Sequence, residues 1–309
     1  MLIILNPNAA GGTAMEKWNK TNRLFRQSIP PFIVHTMNGK AGTEKFVLSA
    51  IRNGETDFIA GGGDGTINTL LNILLTHTNN ENVRNIRLGA IGLGSSNDFH
   101  KPFQREKIMN GIPCKIDLDK SQPRDVGVIT YKENNREFKK YFLINASVGA
   151  TATANQFFNQ PDNFLQAMKQ FSTTWAIYYS AIKTITSHKN LYVTISSLET
   201  GTIKTHLSNL GVVKNQHFSG SLRFNHSAEY DNGRFNVHLF HDMTRIEMMK
   251  LIHMLSKGKS NFPGKSSKWS TTSVEVTAEK HFAVEFDGEI IRTSSVHFSI
   301  LPKCIKVCS

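Results

Sequence analysis

Cysteine is scarce: Cys114, Cys304 and Cys308 are the only three in 309 residues, with no C-x-x-C pair and no histidine at zinc-finger spacing. A zinc ribbon and a disulfide framework are both excluded, and a reducing cytosol fits. Long apolar runs are also missing. The most apolar later stretch, residues 175–182, is too short to cross a bilayer. The opening run before Asn6-Pro7 lacks a basic flank and reads as a buried strand, not a secretion signal. Membrane contact is therefore expected to be peripheral and the location cytoplasmic. No block of five or six like charges occurs, and there are no repeats or low-complexity tracts, so a disordered basic arm is not expected. Acidic residues are outnumbered, 24 against 36 Lys and Arg, which gives a net charge of +12. That field favours polyanions or an anionic leaflet, although scattered charge can also be only a solvated surface. No nucleic-acid module or aromatic-basic interleaving is present, so nucleic acid ranks last as a partner.

What is present is enough apolar material, 39% with 20 Phe, for more than one core, and the length suggests two domains. Short apolar runs at 2–5, 32–35, 57–60 and 88–91 alternate with helical patterns, including one at 43–52 and one carrying Ile67, Leu70, Leu71, Leu74 and Leu75. That alternation predicts an open α/β sheet with both faces covered. From about residue 117 the texture changes to period-two runs at 141–145, 191–196, 235–240, 273–277 and 281–286, which predict an antiparallel sheet or sandwich. Two helices interrupt it, 163–187 and 245–257, the second closed by Gly258, and 258–268 reads as a loop. The fold class is thus α/β plus β, with domains at 1–116 and 117–292.

The most informative segment is Gly61-Gly62-Gly63-Asp64-Gly65-Thr66-Ile67-Asn68, where an apolar strand feeds a glycine cluster and then a helix. Glycines let the backbone approach phosphate oxygens, and a helix start adds unpaired N–H groups and a favourable dipole. It is neither a Walker A loop nor a G-x-G-x-x-G fingerprint. A tight strand-to-helix turn is the plainer alternative.

This segment resembles the GGDGT loop shared by diacylglycerol, sphingosine and NAD kinases. Asn6-Pro7-Asn8-Ala9-Ala10-Gly11-Gly12 resembles the NPxSG loop of the lipid kinases, with Ala where Ser is commoner. Gly94-Ser95-Ser96-Asn97-Asp98-Phe99 resembles their GTxNDFAR segment, and Phe286-Asp287-Gly288-Glu289 their late DGE motif. Thr36 to Ala41 is similar to T-x-x-G-x-A, Arg124-Asp125-Val126-Gly127 to iDlG, and Asn145 to Gly149 to N-x-x-x-G. The chain is identified on these motifs as a member of the bacterial diacylglycerol kinase and YegS-like lipid kinase family. An NAD-type kinase, or a homologue that binds without turnover, are the alternatives.

The resemblance implies a strand at about 293–309 that rejoins the first sheet, ATP and Mg²⁺ as cofactors, and a lipid substrate held at an anionic membrane surface. It leaves the lipid and the oligomeric state open, a homodimer included. It implies that Asn6, Pro7, Asn8, Gly11, Gly12, Thr36, Gly61, Gly62, Gly63, Gly65, Thr66, Asn68, Gly94, Ser95, Ser96 and Asn97 surround the nucleotide. By the same resemblance Asp64 and Asp98 act through magnesium, and Glu289 accepts the hydroxyl proton with Asp287 and Asp125 in support. A second, structural magnesium is implied at Glu229-Tyr230-Asp231-Asn232-Gly233, with Glu229, Asp231 and Asn232 as ligands. There Asn232 departs from an expected Asp, and a hairpin turn is the competing reading. The stripe Phe164, Met168, Phe171 and Trp175 is expected to be core, while Phe157, Phe158, Tyr178 and Tyr179 are left open to line an acyl groove.

Overall fold

The apolar run Leu2–Leu5 is buried at every position and forms β1, the middle of a parallel sheet. Strands covered on both faces read as continuous apolar runs, and this one does. The computed structural model describes residues 1–133, 136–160, 162–227 and 229–309. It divides into two units, Met1–Val126 with Pro302–Ser309, and Gly127–Leu301.

In the first unit β1 is followed by α1 (Ala14–Ser28), β2 (Ile33–Thr36), α2 (Lys40–Arg52), β3 (Asp57–Gly62), α3 (Asp64–His77), the short α4 (Asn80–Val83), β4 (Arg87–Gly92), β5 (Ile108–Met109) and β6 (Ile112–Lys115). Strand order is β4-β3-β1-β2, all parallel. Register decides the rest: Leu5 pairs with Gly61 and with Thr36, Gly61 with Ile91, and Gly62 with Gly92. All four strands therefore end level, and the loops that follow them emerge together at the carboxyl edge, where open α/β sheets bind ligands. Behind that edge Trp18 stacks on Phe25 at 5.6 Å in a core with Ile3, Leu5, Ile59 and Ile91. The chain returns to this sheet later than expected, from Pro302, where Lys306 and Val307 run parallel to Arg87 and Leu88.

The second unit is antiparallel. Its strands are β7 (Gln122–Glu133), which enters it at Gly127, β8 (Arg136–Phe142), β9 (Asn145–Gly149), β10 (Leu191–Ser197), β11 (Gly201–Val213), the small hairpin β12 (His217–Phe218) and β13 (Leu222–Arg223), β14 (Phe235–His241), β15 (Ser266–Thr271), β16 (Ser273–Phe286) and β17 (Glu289–Val307), which leaves it after Leu301. β9 and β10 each pair with both β11 and β16, so the sheet folds around an interior of Phe142, Val148, Ile195, Leu210, Val237 and Val284.

Its helices are α5 (Ala150–Asn159), α6 (Asn163–Phe171), α7 (Thr173–Ser187) and α8 (Arg245–Ser256). The helix expected over 163–187 is broken at Ser172, which is extended (φ −159°, ψ 118°) and caps α7 by accepting the Trp175 N–H. Serine favours that role over a mid-helix position. The stripe expected to be core is mostly outside: Phe164, Phe171 and Trp175 are 59, 88 and 64% exposed, Met168 is half-buried, and Leu165 and Ala176 are buried instead. α5 was not expected, because ATATANQFFN holds only two large apolar residues, Phe157 and Phe158, both near its end. Within the predicted loop 258–268, Ser266 onward forms edge strand β15 on β14.

Candidate active site

Close packing explains the glycines at the carboxyl edge of the first unit. A Cβ on Gly62 would lie 2.2 Å from Thr66 Oγ1, and one on Gly94 would lie 2.4 Å from Gly63 Cα. The two loops touch backbone to backbone, with Leu93 and Gly94 donating their N–H groups to the Gly62 carbonyl at 2.9 and 3.1 Å. Asn6 joins the first loop to the second: its Nδ2 donates to Thr66 Oγ1 at 3.0 Å and its backbone N–H to Gly61 O at 2.8 Å. Its Oδ1 accepts the Asn8 N–H at 3.0 Å. The chain then turns through Ala10, Gly11 and Gly12, all left-handed, with open space beside both glycines.

Asn97 closes the third loop. It is itself left-handed (φ 50°), accepts the Gly94 N–H at 3.1 Å and donates to the carbonyls of Gly92 and Gly94 at 3.1 and 3.2 Å. Asn is among the few residues with a side chain that tolerate this conformation. Ser95 is exposed at the loop tip and Ser96 half-buried. Asp64, at the first position of α3, reaches across: its two carboxylate oxygens accept the N–H groups of Asp98 and Phe99, each at 3.0 Å.

The Asp98 carboxylate is buried and meets the Lys101 ammonium at 2.7 Å. Lys115, on β6, donates to the Phe99 carbonyl at 2.7 Å and lies 4.7 Å from the centre of the Phe99 ring. Burial, with Arg124 and Lys107 nearby, lowers its pKa to about 7, and Asp64 pulls the other way. Burial likewise holds His100 down to about 3, so it is neutral, and neither ring nitrogen finds a partner among the described residues. Lys115 had no sequence signal, being one lysine on a short strand. Asn68, expected at the nucleotide, is buried within α3, where its Oδ1 accepts from Asn72 at 3.0 Å. Thr36 ends β2 at the same edge, where the next residue, Met37, donates its N–H to Leu5 O at 2.8 Å.

Magnesium keeps several waters and takes one or two carboxylates together with phosphate oxygens. Asp64 fits that demand: a hard oxygen donor, partly exposed, at the start of a helix, where the positive end of the helix dipole favours phosphate. Asp98 is already charge-matched by Lys101. The second expected metal does not fit. Buried Lys214 places its ammonium on Asn232 Oδ1 at 3.1 Å and on the Arg234 carbonyl at 2.6 Å, so a cation of the chain's own occupies those oxygens. Asn232 Nδ2 donates to Glu229 at 2.5 Å, which a metal-binding pair would not do. Among the described residues no group of three or more His, Cys, Asp or Glu is arranged to hold a metal ion.

In the second unit, Asp287 and Gly288 are the two residues joining β16 to β17, with Phe286 paired to Glu289. Both have positive φ, 46° and 92°, as a type I′ hairpin requires and Asp-Gly readily supplies. The buried Asp287 carboxylate accepts three backbone N–H groups, from Leu143 at 2.7 Å and from Ile144 and Asn145 at 3.0 Å each. Glu285, also buried, accepts from Ser147 Oγ and from the Gly288 N–H, both at 2.9 Å. The turn is thus clamped from both sides, and Glu289 stands exposed beside it. Asp287 anchors the hairpin, and Asp125, buried and accepting the Lys303 N–H at 2.9 Å, anchors the returning strand. Glu285 was missed because a glutamate inside an alternating strand looks like any surface residue.

Comparison with known proteins gives two family matches, to the diacylglycerol kinase catalytic domain over residues 1–129 and to the YegS C-terminal NAD kinase beta sandwich-like domain over 145–309. A diacylglycerol kinase of Staphylococcus haemolyticus (strain JCSC1435) is 23% identical over 303 residues, covering 93% of this chain and 84% of its own. A solved diacylglycerol kinase structure from Bacillus anthracis str. Sterne superposes with a TM-score of 0.66 at 16% identity, covering 99% of this chain and 95% of that one. A second from the same organism, provisionally assigned as such a kinase, gives 0.70 at 17%, covering 99% and 96%. At these identities the structural likeness speaks to the fold.

Proposed function

Since the chain belongs to the diacylglycerol kinase family, we propose that it transfers the γ-phosphoryl group of ATP to the hydroxyl of diacylglycerol or a related lipid at a membrane surface. The observation that carries this reading is the clasp of Asp64 by the Asp98 and Phe99 amides, at an edge where three glycine-bearing loops end level. Phosphoryl transfer asks mainly for positioning and for charge to meet charge. The glycine loops admit phosphates close to the backbone, the start of α3 adds the positive end of its dipole, and Asn6 and Asn97 hold the loops in shape. Bound with ATP, magnesium would supply charge neutralisation at the phosphates, with Asp64 as its carboxylate. Glu289, exposed on a hairpin that Asp287 and Glu285 make rigid, is the group we assign to taking the hydroxyl proton. No helix among the described residues is long and apolar enough to cross a membrane, and in this reading the lipid is reached from the cytoplasmic face, where ATP is found.

The test is a panel of diacylglycerol, phosphatidylglycerol, a sphingoid base, ceramide and a polyprenol, each with magnesium and γ-labelled ATP. One member should acquire a phosphate, identified by the mass of the product. No phosphorylated lipid, with NAD phosphorylated instead, would move the chain to the NAD-kinase reading.

A further inference from the structure

The helices α6 and α7 each bury one large apolar residue, Leu165 and Ile185, and leave their aromatic bulk outside. Along α7 the buried positions are Ala176, Ser180, Thr184 and Ile185, of which only Ile185 is large and apolar, while Trp175 and Ile182 face solvent. Along α6 Leu165 is buried, and Phe164 and Phe171, seven residues apart on one helical face, are exposed. Large apolar side chains normally take the buried face of an amphipathic helix. Here Phe164, Phe171 and Trp175 are outside, the last two flanking the break between the helices, with Phe171 88% and Trp175 64% exposed.

We propose that the α6–α7 corner is the part of this protein that inserts into an anionic bilayer surface, with Phe171 and Trp175 entering the headgroup region. The inference rests on the reading above that the substrate is a membrane lipid. Charge and composition choose the bilayer as occupant. From Ala150 to Asn190 the only acidic residue is Asp162, and it is spent on an ion pair with Lys183. Lys169 and Lys183 lie over the rings of Phe158 and Phe157, at 3.9 and 4.6 Å, with the Lys169 ammonium also on the Phe158 carbonyl; with Lys189 the segment keeps a net charge of +2, which favours an anionic surface. Trp and Phe with flanking lysines is the composition of an interfacial anchor. The net charge of +12 draws the whole chain toward the same surface.

Trp175 reports on the event directly, because Trp18 is buried and Trp269 half-buried. Without ATP, phosphatidylglycerol vesicles should blue-shift the Trp175 emission, and brominated acyl chains should quench it, neither occurring in Trp175→Phe. Phe171→Ser should weaken partitioning about tenfold, the loss expected when one buried aromatic is removed. The same variant should phosphorylate short-chain diacylglycerol dispersed in detergent as fast as the parent. Unchanged Trp175 emission with anionic vesicles would overturn the proposal, as would a parent dimer that Phe171→Ser dissociates, which would assign the corner to a second copy of the chain. Vesicle insertion without any lipid phosphorylation would leave the docking surface standing and remove the kinase reading. Phosphorylation of dispersed lipid by a protein whose Trp175 ignores vesicles would do the reverse.

Discussion

Asp64 accepts the backbone N–H of Phe99 at 3.0 Å, and the carbonyl of that same Phe99 accepts the ammonium of Lys115 at 2.7 Å. One turn is gripped from both sides, by an acid at the start of a helix and by a base on a neighbouring strand. In Asp64→Asn the carboxamide can accept only one of the two amides well and carries no charge for magnesium. We expect a loss of about 1–3 kcal/mol in stability, read by urea denaturation, and a fall in kcat of more than about a hundredfold. Unimpaired turnover would detach Asp64 from the chemistry.

Lys115 should leave a mark on the pH dependence of stability. Its folded pKa, about 7, lies below the ordinary 10.5, so between those values the unfolded chain holds about one proton more than the folded one. Stability then rises with pH across that window, and the penalty is complete below 7, where the amine is charged in both states. Denaturation midpoints of the parent should climb from pH 7 toward 10 more steeply than those of Lys115→Met. Parallel curves would show that the amine titrates normally.

Lys214 should make the second unit independent of divalent cations. Removing it in Lys214→Ala leaves Asn232 Oδ1 and the Arg234 carbonyl without their ammonium contact. An expected loss of about 2–4 kcal/mol follows from two polar groups losing a charged donor. In the parent, thermal unfolding without nucleotide should be the same in magnesium and in a chelator. A magnesium-raised melting temperature abolished by Asn232→Ala would restore the metal.

The late hairpin offers a separation of anchor from chemistry. Asp287→Ala deprives three amides of their acceptor and should cost about 3–5 kcal/mol. Glu289→Gln, at an exposed position, should leave stability within about 0.5 kcal/mol and lower kcat by about 10²–10⁴-fold with nucleotide affinity kept. Single-turnover transfer and calorimetry, each on parent and variant, read the two effects. Equal single-turnover rates would take Glu289 out of the mechanism.

The parallel sheet and its loops were legible because glycines at 61–63 and 94 and the apolar strands before them are local signals, and register does the rest. The family motifs carried Asp64, Asn97 and Glu289 for the same reason. Motif membership does not say which carboxylates anchor backbone. Asp287 and Asp125 look like Asp64 in the sequence; all three accept backbone amides, and burial separates them, Asp287 and Asp125 being buried and Asp64 partly exposed. Lys214 was invisible because its partners lie 18 and 20 residues away. The aromatic stripe at 164–175 misled because helical spacing says which residues share a face, not whether that face meets a core or a surface.

The most direct test of the account follows γ-labelled ATP and magnesium over vesicles containing diacylglycerol, with the label counted in the extracted lipid. Label should enter the lipid phase with the parent, carried by a product one phosphate heavier, and almost none should do so with Asp64→Asn. Label that stays in water as free phosphate, or reaches lipid equally with Asp64→Asn, would contradict it.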